Sequence, residues 1–133
     1  DRHDRVARAE IDRFHGRLIK TTGDGVLATF DAPTRALRCA FAMIGSLDDA
    51  GLGIRAAIHT GEIVVGEGDV GGIGVHIASR LLAEAGERKV VVTRTVRDLA
   101  TGADLSFEPL GTTSLRGVPG EWELFEASTT KGA

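Results

Sequence analysis

Two charged side chains lie near the turn of a hairpin that the sequence predicts over residues 19–30. Lys20 precedes the turn, and Asp24 lies within its Gly-Asp-Gly tip. Apolar residues on both sides of such a tip are a strong signal for two paired strands. Folding needs neither charge, beyond the preference of aspartate for turns. This stretch alone therefore leaves two interpretations open: a plain hairpin with a solvated lysine, or a hairpin that presents an ammonium and a carboxylate to a ligand.

A second group of polar residues lies further along the chain. Asp69 is in a glycine-rich stretch, and His76 and Arg80 follow at a spacing of four, which places both on one face of a predicted helix. Arg116 comes later, in a Leu-Arg-Gly sequence. The rigid donor fork of arginine suits phosphate, although most helix arginines only cover a surface. Together with Lys20 and Asp24, these side chains resemble the nucleotide site of a known family of enzymes.

Several separately spaced motifs resemble those of the class III adenylate and guanylate cyclases, and the resemblance covers nearly the whole chain. The matching pieces are Lys-x-x-Gly-Asp at 20–24, Ile-His-Thr-Gly at 58–61, Asp69, His-x-x-x-Arg at 76–80 and Leu-Arg-Gly at 115–117. The resemblance implies that residues 1–133 form one catalytic domain of a bacterial adenylate cyclase, which converts ATP to 3′,5′-cyclic AMP and pyrophosphate.

The resemblance also implies how the base is recognised. Lys20 and Asp69 would contact it, and Asp24 would bind metal. A lysine donor with a carboxylate acceptor suits adenine, which offers a ring-nitrogen acceptor and an amino donor, whereas guanine reverses this pattern. The pair therefore favours ATP over GTP.

The remaining motif residues would act on the ribose and the phosphates. By the resemblance, Arg80 stabilises the charge that builds on the α-phosphate, and Arg116 holds the β- and γ-phosphates. His76 stands where the family has asparagine. Histidine can still donate a hydrogen bond to the ribose, but its charge varies near neutral pH.

Family members use two metal ions, Mg²⁺ or Mn²⁺, and work as dimers in which one subunit supplies the metal carboxylates and its partner the other site residues. We therefore expect a homodimer. The family's other metal-binding aspartate lies on a strand before the opening helix, and Asp1 and Asp4 are poor substitutes because they lie on that helix. We expect an N-terminally truncated domain with weak or absent activity, and unpaired backbone beside the missing central strand unless another segment covers it.

The composition is that of an ordinary globular domain. The 133 residues are 42% hydrophobic and 26% charged, with a net charge of −3. No basic cluster predicts nucleic-acid binding, and no apolar run is long enough to cross a membrane. The single cysteine, Cys39, is expected to be buried and fits a reducing cytoplasm.

Helices and hairpins alternate along the chain, which predicts an α+β fold with a ferredoxin-like core, a mainly antiparallel sheet flanked by helices and lacking its first strand. Asp31 with Pro33 signals a helix start, and Thr93 is expected to cap a short helix whose Leu99 faces inward. The predicted elements are a helix at 1–17, a hairpin at 18–30, a helix ending at 51–53, strands at 54–59 and 62–65, a helix at 75–82, a strand at 89–93, a helix to 99, and strands at 105–110 and 121–125 around a turn at 117–120.

Three alternatives compete with this interpretation. Residues 66–71 match G-x-G-x-x-G, but the strand at 90–93 lacks the acidic residue that a dinucleotide-binding fold needs. A degenerate cyclase-like module that regulates an attached domain is the second alternative, although it would have little use for so many retained site residues. An unrelated ferredoxin-like binding domain requires every match to be a coincidence.

Overall fold

The computed structural model describes residues 2–21, 25–66, 77–100, 102 and 104–130. In these residues, four helices and seven strands alternate, with one short 3₁₀ turn at Leu82–Glu84. The helices are α1 (Arg2–Arg13), α2 (Pro33–Asp49), α3 (Ile77–Leu81) and α4 (Arg94–Leu99). The strands are β1 (Arg17–Thr21), β2 (Gly25–Thr29), β3 (Arg55–His59), β4 (Glu62–Gly66), β5 (Val90–Thr93), β6 (Leu105–Leu115) and β7 (Val118–Thr129).

The seven described strands form one sheet in the order β1-β2-β4-β3-β5-β7-β6. Among these neighbours, only β3 and β5 run parallel. The predicted α+β fold with a mainly antiparallel sheet is therefore confirmed. Each interior strand has a neighbour on both sides, and β4 lies between β2 and β3. The unpaired backbone that we expected beside a missing strand therefore does not occur inside the described sheet.

The side chains alternate between the two faces of the sheet, because successive residues of a strand point to opposite sides. The first face packs against α1, α2 and α4, and its buried strand residues are Val26, Ala28, Ile63, Val65, Ala56, Ile58, Val90, Val92, Phe125 and Ala127. The second face packs against α3, the 3₁₀ turn and the end of the β6–β7 hairpin. Its buried strand residues are Leu27, Val64, Ala57, Val91 and Leu124.

Two helix boundaries differ from the prediction. The first helix ends at Arg13 instead of residue 17, because the chain turns at His15, whose φ is 62°, and enters β1. Helix α2 begins at Pro33 as expected, but its N-cap residue is Ala32, and no side chain caps it. Asp31 instead pairs with Arg35, one turn into the helix.

The C-terminal elements also differ. The final strands are longer than predicted, and the chain reverses at Arg116 and Gly117, so residues 118–120 belong to β7 and not to a turn. Leu99 does not face inward, since it is 55% exposed. Thr93 occupies the N-cap position of α4, but its side chain makes no cap hydrogen bond.

In the part of the chain that the structure describes, no helix combines the length and the apolar character needed to cross a membrane.

Candidate active site

The structure describes three of the six predicted site residues, Lys20, Arg80 and Arg116. The other three, Asp24, Asp69 and His76, lie outside the described residues. The placement of the described three decides whether they can act on one ligand.

Lys20 lies on the second face of the sheet because of an irregularity in β1. The register of the β1–β2 pair shifts between Leu18 and Lys20, so Lys20 lies opposite Leu27. Leu27 belongs to the buried cluster of the second face. Such a bulge lets a strand redirect one side chain, and here it places the lysine on the same side of the sheet as α3.

Arg80 lies on α3, next to the buried residues Ser79 and Leu81. The arginine is half-buried, and its Nε atom is buried with no hydrogen-bond partner among the described residues. Leaving such a donor unsatisfied costs about 1–3 kcal/mol, and more for a charged group. An anionic acceptor is the kind of group that would satisfy it.

Arg116 is exposed in the turn that joins β6 to β7. The flanking residues Leu115 and Val118 pack into the cluster of the second face, together with Ile77 of α3. The end of the hairpin is therefore docked beside the helix that carries Arg80. Lys20, Arg80 and Arg116 thus belong to the same side of the sheet, although β1 and the β6–β7 hairpin lie at its opposite edges.

The structure adds Arg55, which the sequence analysis did not single out. Gly25, Gly66 and Arg55 lie side by side at the ends of the neighbouring strands β2, β4 and β3. Arg55 Nη1 lies 3.5 Å from the carbonyl oxygen of Ala85, just after the 3₁₀ turn. The alternation along β3 puts Arg55 on the second face, but the sequence did not show which strands flank it.

His59 lies at the end of β3 and contacts two other strands. Its Nδ1 is 2.9 Å from Thr93 Oγ1, and its ring meets the ring of Trp122 edge-on, with centroids 5.4 Å apart and an interplanar angle of 86°. Burial lowers the pKa of His59 below its usual 6.5, and the nearby charge of Glu62 opposes this effect. His59 belongs to the Ile-His-Thr-Gly motif at residues 58–61, and the sequence analysis did not connect it with Trp122.

No group of three or more potential metal ligands occurs among the residues that the structure describes. Asp24, the carboxylate to which the resemblance assigns metal, is outside them. One carboxylate is too few donors for a pair of hard divalent cations, which bind several oxygen ligands each. We therefore derive no step through a metal.

A groove of about 420 Å³ lies between α1 and α2. Phe14, Phe41 and Arg38 are among its lining residues. It belongs to the helical layer over the first face, so it is separate from the surface that carries Lys20, Arg80 and Arg116.

Comparison with known proteins gives the following relatives. No protein-family model matches the chain. "Putative adenylate cyclase 3" of Rhizobium meliloti (strain 1021) is 30% identical over 105 residues, which are 72% of this chain and 18% of that protein. The serine/threonine-protein kinase pkn2 of Myxococcus xanthus is 25% identical over 131 residues, or 92% of this chain and 16% of the kinase. The chain thus spans less than a fifth of the length of these curated relatives.

Among solved structures, the adenylate/guanylate cyclase/hydrolase from Silicibacter pomeroyi superposes on this chain with a TM-score of 0.69 and 25% identity. The match covers 96% of this chain and 81% of that one. The arrangement of the sheet, the motifs on its second face and these likenesses all agree. The chain has the fold of the class III adenylate/guanylate cyclase domains and is similar to them in sequence.

Proposed function

We propose that the protein containing this chain is an adenylate cyclase that converts ATP to 3′,5′-cyclic AMP and pyrophosphate. The observation that carries the proposal is the buried Nε of Arg80, which has no hydrogen-bond partner among the described residues and lies on α3, over the face of the sheet to which Lys20 belongs. A half-buried guanidinium whose Nε has no acceptor in the described part of the chain is suited to an anionic group that arrives with the substrate.

In the proposed reaction, the 3′-hydroxyl of ATP loses its proton to solvent water and attacks the α-phosphorus, and the bond to the pyrophosphate leaving group breaks. The protein contributes mainly positioning and charge stabilisation. Arg80 stabilises the charge that develops on the α-phosphate. Arg116 holds the β- and γ-phosphates, and His76 donates a hydrogen bond to the ribose.

The choice of ATP rests on the base-contacting pair. Lys20 donates to the ring nitrogen of adenine, and Asp69 accepts from the exocyclic amino group. Replacing Lys20 with Glu reverses the donor pattern, so it should weaken the preference for ATP over GTP. The ratio of kcat/KM for the two nucleotides measures this change, and an unchanged ratio would show that Lys20 does not contact the base.

The proposal includes a divalent cation, Mg²⁺ or Mn²⁺, whose charge would offset that of the phosphates. Asp24 is the residue of this chain proposed to hold it. The second carboxylate of the family pattern has no counterpart among the residues assigned here.

We also propose that the active form is a homodimer. One copy provides Asp24, and its partner provides Lys20, Asp69, His76 and Arg80, so that two equivalent sites form. A monomer would then be inactive even when it is fully folded. The 133-residue chain alone is expected to have weak activity or none.

The test is cyclic AMP formation from ATP with manganese, measured for this chain and for a version extended at its N-terminus to include the family's F-x-D-I-like strand. Product from the extended version, with little or none from the shorter chain, is the expected result. Asp24→Ala in the extended version should abolish turnover and leave the dimer intact. Collapse of the dimer instead would mean that Asp24 is mainly a turn residue.

A second candidate is a cyclase-like module that binds nucleotide or dimerises to regulate an attached domain. The likeness of 92% of this chain to part of the kinase pkn2 favours it, because that protein is named for a different activity. ATP binding without cyclic AMP formation, by an extended version that dimerises, would support this second function and exclude the first.

A further inference from the structure

The end of the β6–β7 hairpin, which carries Arg116, is linked to the centre of the sheet through Trp122. The indole Nε1 of Trp122 donates a hydrogen bond to the carbonyl oxygen of Pro119 at 3.2 Å. Trp122 also packs against the cluster of the second face. Both contacts tie Trp122 to the part of the hairpin next to the turn at residues 116–117.

His59 also contacts the indole ring of Trp122. Its ring meets the indole in the edge-to-face arrangement that aromatic pairs prefer. The ring of His59 is in turn oriented by Thr93, whose Oγ1 lies 2.9 Å from Nδ1. This bond explains why the hydroxyl of Thr93 does not cap α4. The contacts form a chain from β5 through β3 to the hairpin.

We propose that His59 is a positioning residue, which acts through Trp122 to fix the end of the β6–β7 hairpin against α3. The consequence for catalysis rests on the proposed function: the hairpin places Arg116 where it can hold the β- and γ-phosphates beside Arg80. His59 itself touches no substrate in this account.

Burial lowers the pKa of His59 and so favours the neutral form of its ring. Glu62, its cross-strand neighbour on β4, is the carboxylate whose charge opposes the effect of burial on the pKa of His59. Arg94 and Glu123 flank the contact on α4 and β7, and they pair with each other at 3.4 Å. A neutral imidazole can orient against the indole and bond to Thr93 at the same time.

The first test uses the 133-residue chain and two readouts that need no catalysis. Trp122 is its only tryptophan, and it has no tyrosine, so the intrinsic fluorescence reports directly on this contact. Trypsin cleaves after arginine, so the rate of cleavage after Arg116 reports on the order of the hairpin end, and cleavage after Arg88 serves as the reference. His59→Ala should shift the emission to longer wavelength and accelerate cleavage after Arg116 alone.

Three further variants sharpen this test. His59→Phe keeps a ring against the indole, so it should restore most of the wild-type protection against cleavage after Arg116. It also keeps the proposal testable if His59→Ala does not fold. Thr93→Val should give an intermediate effect. Glu123→Gln, next to Trp122 on β7, is the matched control and should match the wild type. Unchanged emission and cleavage in His59→Ala would overturn the proposal, and so would equal acceleration after Arg88, which indicates general loosening.

The second test measures the steady-state kinetics of the extended, dimeric protein. Because Arg116 is proposed to hold the phosphates in both the ground state and the transition state, His59→Ala should raise KM for ATP about fivefold with kcat nearly unchanged. An unchanged KM together with faster cleavage would overturn the link to Arg116. If the wild type forms no cyclic AMP, the proposed function fails, and the emission and cleavage results still decide whether His59 positions the hairpin.

Discussion

The two faces of the sheet are covered in different ways. Helices α1 and α2, of 12 and 17 residues, cover most of the first face and enclose the larger buried cluster. The second face has only the five residues of α3, a three-residue 3₁₀ turn and the hairpin end over a smaller cluster. Lys20, Arg80 and Arg116 belong to this second side. The difference indicates that the first face supplies most of the stability, while the second combines a thin core with charged groups for a ligand.

The largest expected effect on stability lies on the first face. Leu37 of α2 is fully buried in the larger cluster. Leu37→Ala should lower the free energy of unfolding by about 2–5 kcal/mol, because it removes buried methyl groups and leaves a cavity. Urea denaturation measures the loss. Leu99→Ala is the control, since Leu99 is exposed, and an equal loss there would contradict the assignment of the core.

The largest expected effect on activity lies on the second face. Arg80→Ala should lower kcat for cyclic AMP formation about 10²–10³-fold, as expected for the loss of a donor that stabilises transition-state charge. The melting temperature should stay the same or rise slightly, because the variant removes a buried donor without a described partner. Arg94→Ala, an exposed arginine on α4, should leave both quantities unchanged. A loss of stability with full activity would place Arg80 in the scaffold instead.

An ion pair at the edge of the first layer predicts a dependence of stability on pH. Both terminal nitrogens of the Arg38 guanidinium donate to the carboxylate of Asp104, and Nη2 lies 2.8 Å from Oδ1. Thr129 Oγ1 donates to Oδ2 of Asp104 at 3.0 Å. The hydrogen bond from Arg38 holds the pKa of Asp104 well below its usual 3.8. Since the folded pKa is depressed, the pair stabilises the fold above about pH 4, and this contribution is lost as the pH falls through the folded pKa.

Asp104→Asn should therefore lower the melting temperature at neutral pH. Below about pH 4, the melting temperature of this variant should fall less steeply with pH than that of the wild type. Asp98→Asn, which removes an exposed carboxylate on α4, is the control and should have a smaller effect. Thermal melts across this pH range make the measurement. An equal fall of the melting temperature below pH 4 in Asp104→Asn and the wild type would show that the pair does not respond to protonation.

The smallest effect is one of chemical reactivity. Cys39 lies in the core of the first face, and burial raises the pKa of its thiol to about 12. Because the thiolate is the reactive form, a thiol reagent at pH 8 should label the folded protein only as fast as it unfolds. Leu37→Ala should accelerate labelling, while Arg80→Ala should not. Rapid labelling of the wild type would contradict the packing of the first face.

The sequence indicated the first two hairpins, because a glycine interrupts the apolar runs at Gly25 and at Gly61. It misplaced the last turn, because Pro119 and Gly120 resemble turn residues but lie in a long strand. Gly120 has a φ of 86°, and strands tolerate such residues near irregularities. It also misassigned Thr93, whose hydroxyl bonds to His59, a partner 34 residues away that no local pattern reveals.

The site was predicted less completely than the fold. The motif resemblance gave Lys20, Arg80 and Arg116, and the structure adds that they share one side of the sheet. That arrangement depends on the irregularity at Ile19, which turns Lys20 toward the second face. A one-residue shift in a strand reverses the direction of its side chains, and the sequence of β1 alone does not disclose it.

The most direct test of the central claim mixes two inactive variants of the extended protein, Asp24→Ala and Arg80→Ala. If the sites are shared between two copies, each mixed dimer has one site with both residues intact. Random exchange of subunits should then restore about a quarter of the wild-type cyclic AMP formation. No recovery, despite mixed dimers detected by mass spectrometry, would contradict a shared site that combines Asp24 of one copy with Arg80 of the other.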